Sequence, residues 1–260
     1  MHHLTGTIKH RLKKVPYVMP VYRTLRTKLW AHSPYVSKRT AWNDQQPADA
    51  QTRTKLLNLL DYTKTSGSGY EGAEFPAGYH EITIHVQTFA GQRKPTDRLN
   101  KAPYDFAGKT VLDIGCNQGG MVFALEDQLK WGIGVDYDYR MINACNAVAN
   151  ELRSGNTRFY TFDVDRDPHG LLQDFLPESK VDVVFLLAVC FWVNQWKELI
   201  TYCARISENM LFEANGDDAS MAEQIAYLHT VYSSVEQLTD DSSEDTTCRT
   251  RKLFWLSNPK

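Results

Sequence analysis

Residues 111–120 read Val-Leu-Asp-Ile-Gly-Cys-Asn-Gln-Gly-Gly: a short apolar run, an acid, and three glycines within six residues. A glycine turn between a strand and a helix leaves backbone N–H groups to face a ligand, and a helix N-terminus favours negative charge. That geometry suits a nucleotide without saying which one. A dinucleotide fingerprint needs glycine at 115, 117 and 120, and position 117 is Asn, so the residue that lets a pyrophosphate approach is missing. No Gly-Lys-Ser/Thr follows, which removes a P-loop. Two further acids recur with regular spacing, Asp136 in Gly-Val-Asp-Tyr-Asp and Asp163 in Phe-Asp-Val-Asp. A carboxylate such as Asp136 can accept from both hydroxyls of a ribose, and Asp163 from an exocyclic amino group. Asp113, beside the glycine turn, suits a cationic ligand end and would repel a pyrophosphate.

The elements that must carry these residues follow from hydrophobic periodicity. Strands are expected at 109–115, 131–137, 157–163, 181–189 and 209–215, and helices at 119–129, 138–152, near 168–176, 195–206 and near 219–231. Two more strands, around 233–242 and 251–257, have no helix between them and read as a hairpin. Alternating strands and helices give an α/β, doubly wound, mostly parallel sheet of seven strands with a C-terminal antiparallel hairpin. Asp113, Asp136 and Asp163 then end three successive strands, at the crevice where such sheets bind ligands.

The constellation VLDIGCNQGG, GVDYD and FDVD resembles the class I S-adenosylmethionine (SAM) methyltransferases, over about residues 105–257, and the terminal hairpin matches that family's strand order. The resemblance implies the Rossmann-like methyltransferase fold, SAM as cofactor and S-adenosyl-L-homocysteine (SAH) as product. It implies Asp113, Gly115, Cys116, Asn117 and Gly119 around the methionine moiety, Asp136 and Tyr137 at the ribose, and Asp163 with Val164 around the adenine. Leu187 and Ala188 would line the sulfonium. Asn117 departs from the commoner glycine and loosens the expectation for the turn. Arg93, just upstream of the core, is a candidate for the SAM carboxylate, because guanidinium–carboxylate pairing is geometrically strong.

The acceptor is less legible. After the fourth strand the chain reads Ala-Val-Cys-Phe-Trp-Val-Asn-Gln-Trp (188–196). Amino-methylating nucleic-acid members carry Asp/Asn-Pro-Pro-aromatic there, metal-dependent catechol-type members an Asp, and RNA cytosine-5 members a Pro-Cys nucleophile. None of these is present, and Cys190 reads as a small buried thiol. Metal-free methylation, most simply of an oxygen, remains. Glu213, Trp192 and His85 are the catalytic candidates, with Asn215 and His80 as further acceptor-side groups.

Composition bounds the setting. The chain has 260 residues, 42% hydrophobic and 23% charged, and its five cysteines form no C-x-x-C pair, which disfavours a disulfide framework or zinc site. No run reaches the ~18 apolar residues of a membrane span, and the N-terminus lacks the apolar core of a secretory signal, so a cytoplasmic chain is expected. Residues 1–43 carry nine Lys/Arg and no Asp or Glu, while the remainder has 20 basic against 31 acidic residues. Leu12, Val15, Val18, Tyr22, Leu25 and Leu29 recur at helical spacing in that arm. A basic amphipathic helix suits an anionic surface and possible peripheral placement at an inner membrane, or it docks on the body. Three segments are expected: a basic N-terminal helical arm (1–48), a helix–strand lead-in over the active site (49–104) and a SAM-dependent core (105–260). The arm is similar in style to those of bacterial enzymes that modify surface glycans. The preferred acceptor is therefore a saccharide or glycolipid in surface polysaccharide synthesis. The lead-in is loosely similar to wobble-uridine tRNA methyltransferases, which keeps RNA as an alternative beside small metabolites. A membrane-associated scaffold that kept the fold is the non-enzymatic alternative.

Overall fold

Val111, Val183, Phe185 and Leu211 are buried on one side of the molecule, while Leu112, Ile114, Val184, Leu186, Met210 and Phe212 are buried on the other. This period-two alternation with both faces apolar makes a strand that must be covered twice. The computed structural model describes residues 50–64, 69–85, 87–240 and 251–260. Helix α1 (Ala50–Thr63) is followed by four three-residue strands, β1 (Gly78–His80), β2 (Ile82–Ile84), β3 (Gln87–Phe89) and β4 (Gly91–Arg93), and by α2 (Thr96–Leu99). The regular part is β5 (Thr110–Ile114), α3 (Gly120–Phe123), β6 (Trp131–Asp136), α4 (Tyr139–Leu152), β7 (Thr157–Thr161), α5 (Leu172–Phe175), β8 (Val183–Leu187), α6 (Trp196–Ile206), β9 (Asn209–Glu213), α7 (Asp218–Val231), β10 (Tyr232–Thr239) and β11 (Leu253–Pro259).

The seven strands β5–β11 form one sheet in the order β10-β11-β9-β8-β5-β6-β7. The pairs from β9 to β7 are parallel, and β11 is antiparallel to both β9 and β10. The order reverses at β5, so the crevice lies where β5 and β8 diverge. Helices α5, α6 and α7 cover one face through Leu172, Leu199, Cys203 and Leu228, while Leu99, Phe106, Met121 and Leu125 cover the other. Residues Lys55–Lys260 form one compact unit.

The lead-in departs from expectation. A single strand ending at Gly91 is expected over 79–90. Instead the chain folds back at His85, whose φ of 56° is left-handed, and β2 pairs antiparallel with β3. Gly91 starts β4, which runs parallel to β1. Period-two alternation predicts extended backbone but carries no mark of where a polar turn residue reverses it. The helix expected over 119–129 is α-helical at Gly120–Phe123 and continues as turns, with Leu125 and Leu129 still buried. The basic arm, its membrane-facing expectation and Cys248 lie outside the described residues. No helix among the described residues is long and apolar enough to cross a membrane.

Candidate active site

The turn after β5 uses its own amides. Gly115 and Cys116 N–H donate to Val135 O (2.8 and 3.0 Å), and Gly119 N–H donates to Cys116 O (2.8 Å). Asn117 N–H donates to Asp136 Oδ2 (3.0 Å), and Gln118 N–H to Asn117 Oδ1 (2.9 Å). Five consecutive N–H groups are satisfied inside the protein, so this turn is no phosphate cradle, contrary to the expectation that its amides face the ligand. Gly115 (φ 78°) and Gly119 (φ 75°) hold left-handed backbone, and a Cβ on Gly115 would lie 2.6 Å from Val189. Asn117 also has positive φ (52°). Asparagine tolerates that region and bonds its own backbone, which explains why glycine is dispensable there.

Above the turn lies a cavity of about 980 Å³, lined by Ile114, Gly115, Asn117, Asp136, Tyr137, Phe162, Asp163, Val164, Leu187, Ala188 and Trp192, and further by Tyr70, Tyr79, Asn194 and Arg251. It is at the large end of the ~300–1,000 Å³ usual for small-molecule clefts, which leaves room for two ligands. Asp136 accepts one backbone N–H at each oxygen, from Asn117 and from Asp138 (2.9 Å). A carboxylate has about four acceptor positions, so capacity remains for hydroxyls. Burial pushes the Asp136 carboxyl up, opposed by those N–H bonds.

Two loops fix the walls. Ala188, next to Leu187, has φ 59°. Asn215 holds it there: its Nδ2 donates to Ala188 O (2.7 Å) and its Oδ1 accepts from Phe191 N–H (3.1 Å). Gln224 in turn clasps the Asn215 backbone at both N and O. On the other side, Asp165 accepts from the backbone N–H groups of Asn194 (2.8 Å) and Gln195 (3.1 Å), tying the loop after β7 to the loop after β8.

The structure thus brings Gly115, Asn117, Asp136, Tyr137, Asp163, Val164, Leu187 and Ala188 to one cavity. It does not bring Asp113, Cys116, Gly119 or Arg93 to that wall. Asp113 shares the parity of Val111 and is buried on the lead-in face, with Oδ2 unbonded. Cys116 packs against Val122 and Cys145. Gly119 faces Phe123 and Phe159. Arg93 is buried in β4, stacks over the Tyr79 ring and stands 3.6 Å from Glu213 Oε1.

The catalytic candidates also divide. Trp192 lines the cavity mouth, 73% exposed. Glu213 is fully buried, held at 2.6 Å by Arg98 and at 3.6 and 3.8 Å by Arg93 and Arg251. Its parity is that of Leu211, so it points under the lead-in and not into the crevice, and it is no acceptor-side base. His85 lies at the β2–β3 turn, 3.2 Å from Glu151, and lines a separate cavity of about 500 Å³, because the hairpin carries it away from the crevice. His80 is buried and kept neutral, first by burial and then by Arg98 and Arg93. Asn215 is a loop brace, as described above. Cys190 is buried, and burial pushes its thiol up. Among the described residues no group of three or more His, Cys, Asp or Glu could hold a metal ion.

Tyr70, Tyr79 and Arg251 line the cavity without having been singled out in the sequence. They come from the lead-in and from the start of β11, and no local spacing links them. Gln118 is another: fully buried, it donates to Thr63 Oγ1 (2.6 Å) and accepts from Tyr79 N–H (3.1 Å), pinning the lead-in to the turn.

Comparison with known proteins agrees with this site. Residues 111–210 match a family described as a methyltransferase domain. The N-terminal domain of EvdMO1 with SAH bound has a TM-score of 0.57 at 12% identity, over 80% of this chain and 97% of that one. The same domain in the presence of SAH and D-fucose gives 0.56 at 13%, with the same coverage. Full-length EvdMO1 gives 0.54 at 14%, over 80% of this chain and 47% of that one. No curated protein matches the chain. The acceptor-rich strand ends, the saturated loop amides and the absence of a cationic phosphate grip at the turn fit SAM, whose bound form supplies an electrophilic methyl group on a sulfonium. With its strand order and strand-end acids, the chain belongs to the class I SAM-dependent methyltransferases.

Proposed function

We propose that the enzyme O-methylates a saccharide or glycolipid without a metal. The observation that carries this is the mouth of the cavity. Trp192 (73% exposed) sits there edge-on to Phe191 (40% exposed), with ring centroids 5.0 Å apart. An exposed indole at a cavity rim offers a broad face whose negative quadrupole attracts weakly positive C–H groups, and a pyranose ring presents such C–H groups on its flat side. Asp136 and Tyr137 would hold the ribose, Asp163 and Val164 the adenine, and Leu187 and Ala188 the region of the sulfonium. A hydroxyl oxygen held over Trp192 forms the new C–O bond in line with the departing sulfur and gives its proton to solvent, so orientation supplies most of the rate. The EvdMO1 domain crystallised in the presence of D-fucose supports a sugar-sized acceptor on this fold.

The test is transfer of tritium-labelled methyl groups from SAM into cell extracts by the full-length protein. Label is expected in the glycan fraction, to survive nuclease, and to yield an O-methyl monosaccharide on acid hydrolysis. Label lost on nuclease treatment, or confined to small metabolites, overturns the saccharide acceptor.

A further inference from the structure

Arg251 precedes β11, and its side chain, 22% exposed, lines the large cavity. Its Nη1 donates to Tyr79 Oη (3.3 Å) and stands 3.8 Å from Glu213 Oε1. A guanidinium has five N–H donors, and these two contacts engage few of them. Behind Arg251 the same Glu213 serves Arg98 and Arg93, so three guanidinium groups share one carboxylate. Tyr79 and His80 complete the cluster, and burial keeps His80 neutral. Asp113, the further acid that acts on Arg98, has its carboxyl pushed up to about 7 by burial and by Asp136. The cluster therefore carries excess positive charge in a poorly solvated place, where a counter-charge is strongly favoured. Arg98 and Arg93 are buried, and Arg251 is the guanidinium of the three that reaches the cavity.

Position along the sheet assigns that charge to a ligand. In the order β11-β9-β8-β5-β6-β7, Arg251 and Asp136 are four strand spacings apart, roughly 19 Å. Asp136 and Asp163 mark the nucleoside end of the cavity. Arg251, Tyr79 and Tyr70 mark the other end, which the acceptor enters.

We propose that Arg251, with the Tyr79 hydroxyl, binds an oxyanion of the acceptor, a carboxylate or a phosphate, and so selects an acidic or phosphorylated saccharide. This deepens the saccharide reading and rests on it. The guanidinium fork matches such a group with two parallel hydrogen bonds. Arg93 and Arg98 supply background charge and hold Tyr79 and Glu213 in place.

The test uses the full-length protein saturated with SAH, titrated calorimetrically with methyl glucoside, glucuronate, glucose phosphate and inorganic phosphate. One or both charged sugars should bind about tenfold or more tightly than the neutral one. Arg251→Gln should erase that preference while leaving SAH affinity within about twofold of wild type. Arg251→Lys, which keeps the charge but loses the fork, should fall between. Retained thermal stabilisation by SAH shows that each variant is folded. Equal binding of charged and neutral sugars overturns the proposal. So does an equal loss of SAH affinity in Arg251→Gln, which would give the anion site to the cofactor's own carboxylate. Arg251-dependent binding of inorganic phosphate without any sugar binding overturns the saccharide reading and leaves the anion site standing. Charged sugars that bind independently of Arg251 do the reverse.

Discussion

At the scale of single residues, the turn after β5 shows how one position serves folding and binding together. Asp136 ends β6, yet its Oδ2 holds the Asn117 amide of the neighbouring turn. The acid that would meet the ribose thus also shapes the loop below the methionine moiety. Asp113 has a different part. It is buried, and burial followed by the charge of Asp136 pushes its carboxyl up to about 7, with Arg98 opposing. An acid whose value rises on folding stabilises the native state while protonated. That contribution is fully present below its ordinary value of about 4 and is lost as pH rises toward about 7. Wild-type stability relative to Asp113→Asn should therefore decline across that window, by a few kcal/mol at most. Urea unfolding of both proteins at several pH values, without ligand, measures it. Parallel pH profiles would contradict a protonated Asp113.

At the scale of elements, the cavity walls are loops braced from behind by neighbouring elements. Ala188 keeps a left-handed conformation that costs an L-residue about 1–2 kcal/mol, and Asn215 bridges it to Phe191. Truncation by Asn215→Ala leaves an N–H and a C=O without that partner. It should lower stability by ~1–3 kcal/mol and weaken SAH binding several-fold, since Leu187 and Ala188 line the cavity. Asn215→Asp keeps the acceptor for Phe191 and loses the donor to Ala188, so its effect should be intermediate. Denaturation and calorimetry read both effects, and SAH affinity unchanged in Asn215→Ala would separate the brace from the cofactor site. A sequence shows Asn215 as a polar residue after a strand. Its work as a brace depends on Gln224 and Ala188 arriving beside it, which is a property of packed elements.

At the scale of the whole molecule, one sheet carries two chemically different ends. Carboxylates on β6 and after β7 face a neutral or cationic nucleoside, and the Arg251–Tyr79 edge near β11 is positive. Cofactor binding to the folded state should raise thermal stability by mass action. At SAH one hundred times its dissociation constant the gain is about 2.7 kcal/mol, roughly 5 °C or more for a chain of this size. A melting temperature that does not move with SAH concentration would count against cofactor binding by the native fold.

The core's strand and helix order, the three strand-end acids and the cofactor class were legible in the primary structure, because each rests on local periodicity or on residues a few positions apart. Asn117 in place of glycine argued against a dinucleotide, and its positive φ and internal hydrogen bond fit that substitution. The lead-in was legible only as extended backbone. Its reversal at His85 and the parallel pairing of β1 with β4 depend on contacts that alternation does not encode. Side-chain direction at strand ends was the other point decided by tertiary structure. Asp113 and Glu213 end strands as Asp136 does, but the pleat turns them toward the lead-in, where Arg98 and its neighbours neutralise Glu213. The amino-acid sequence by itself determined the fold and the nucleoside end of the site, since strand order and acid spacing are local. The three-dimensional packing decided which charged groups face the ligand, because that depends on one residue of register and on an arginine more than 150 positions from the tyrosine it meets.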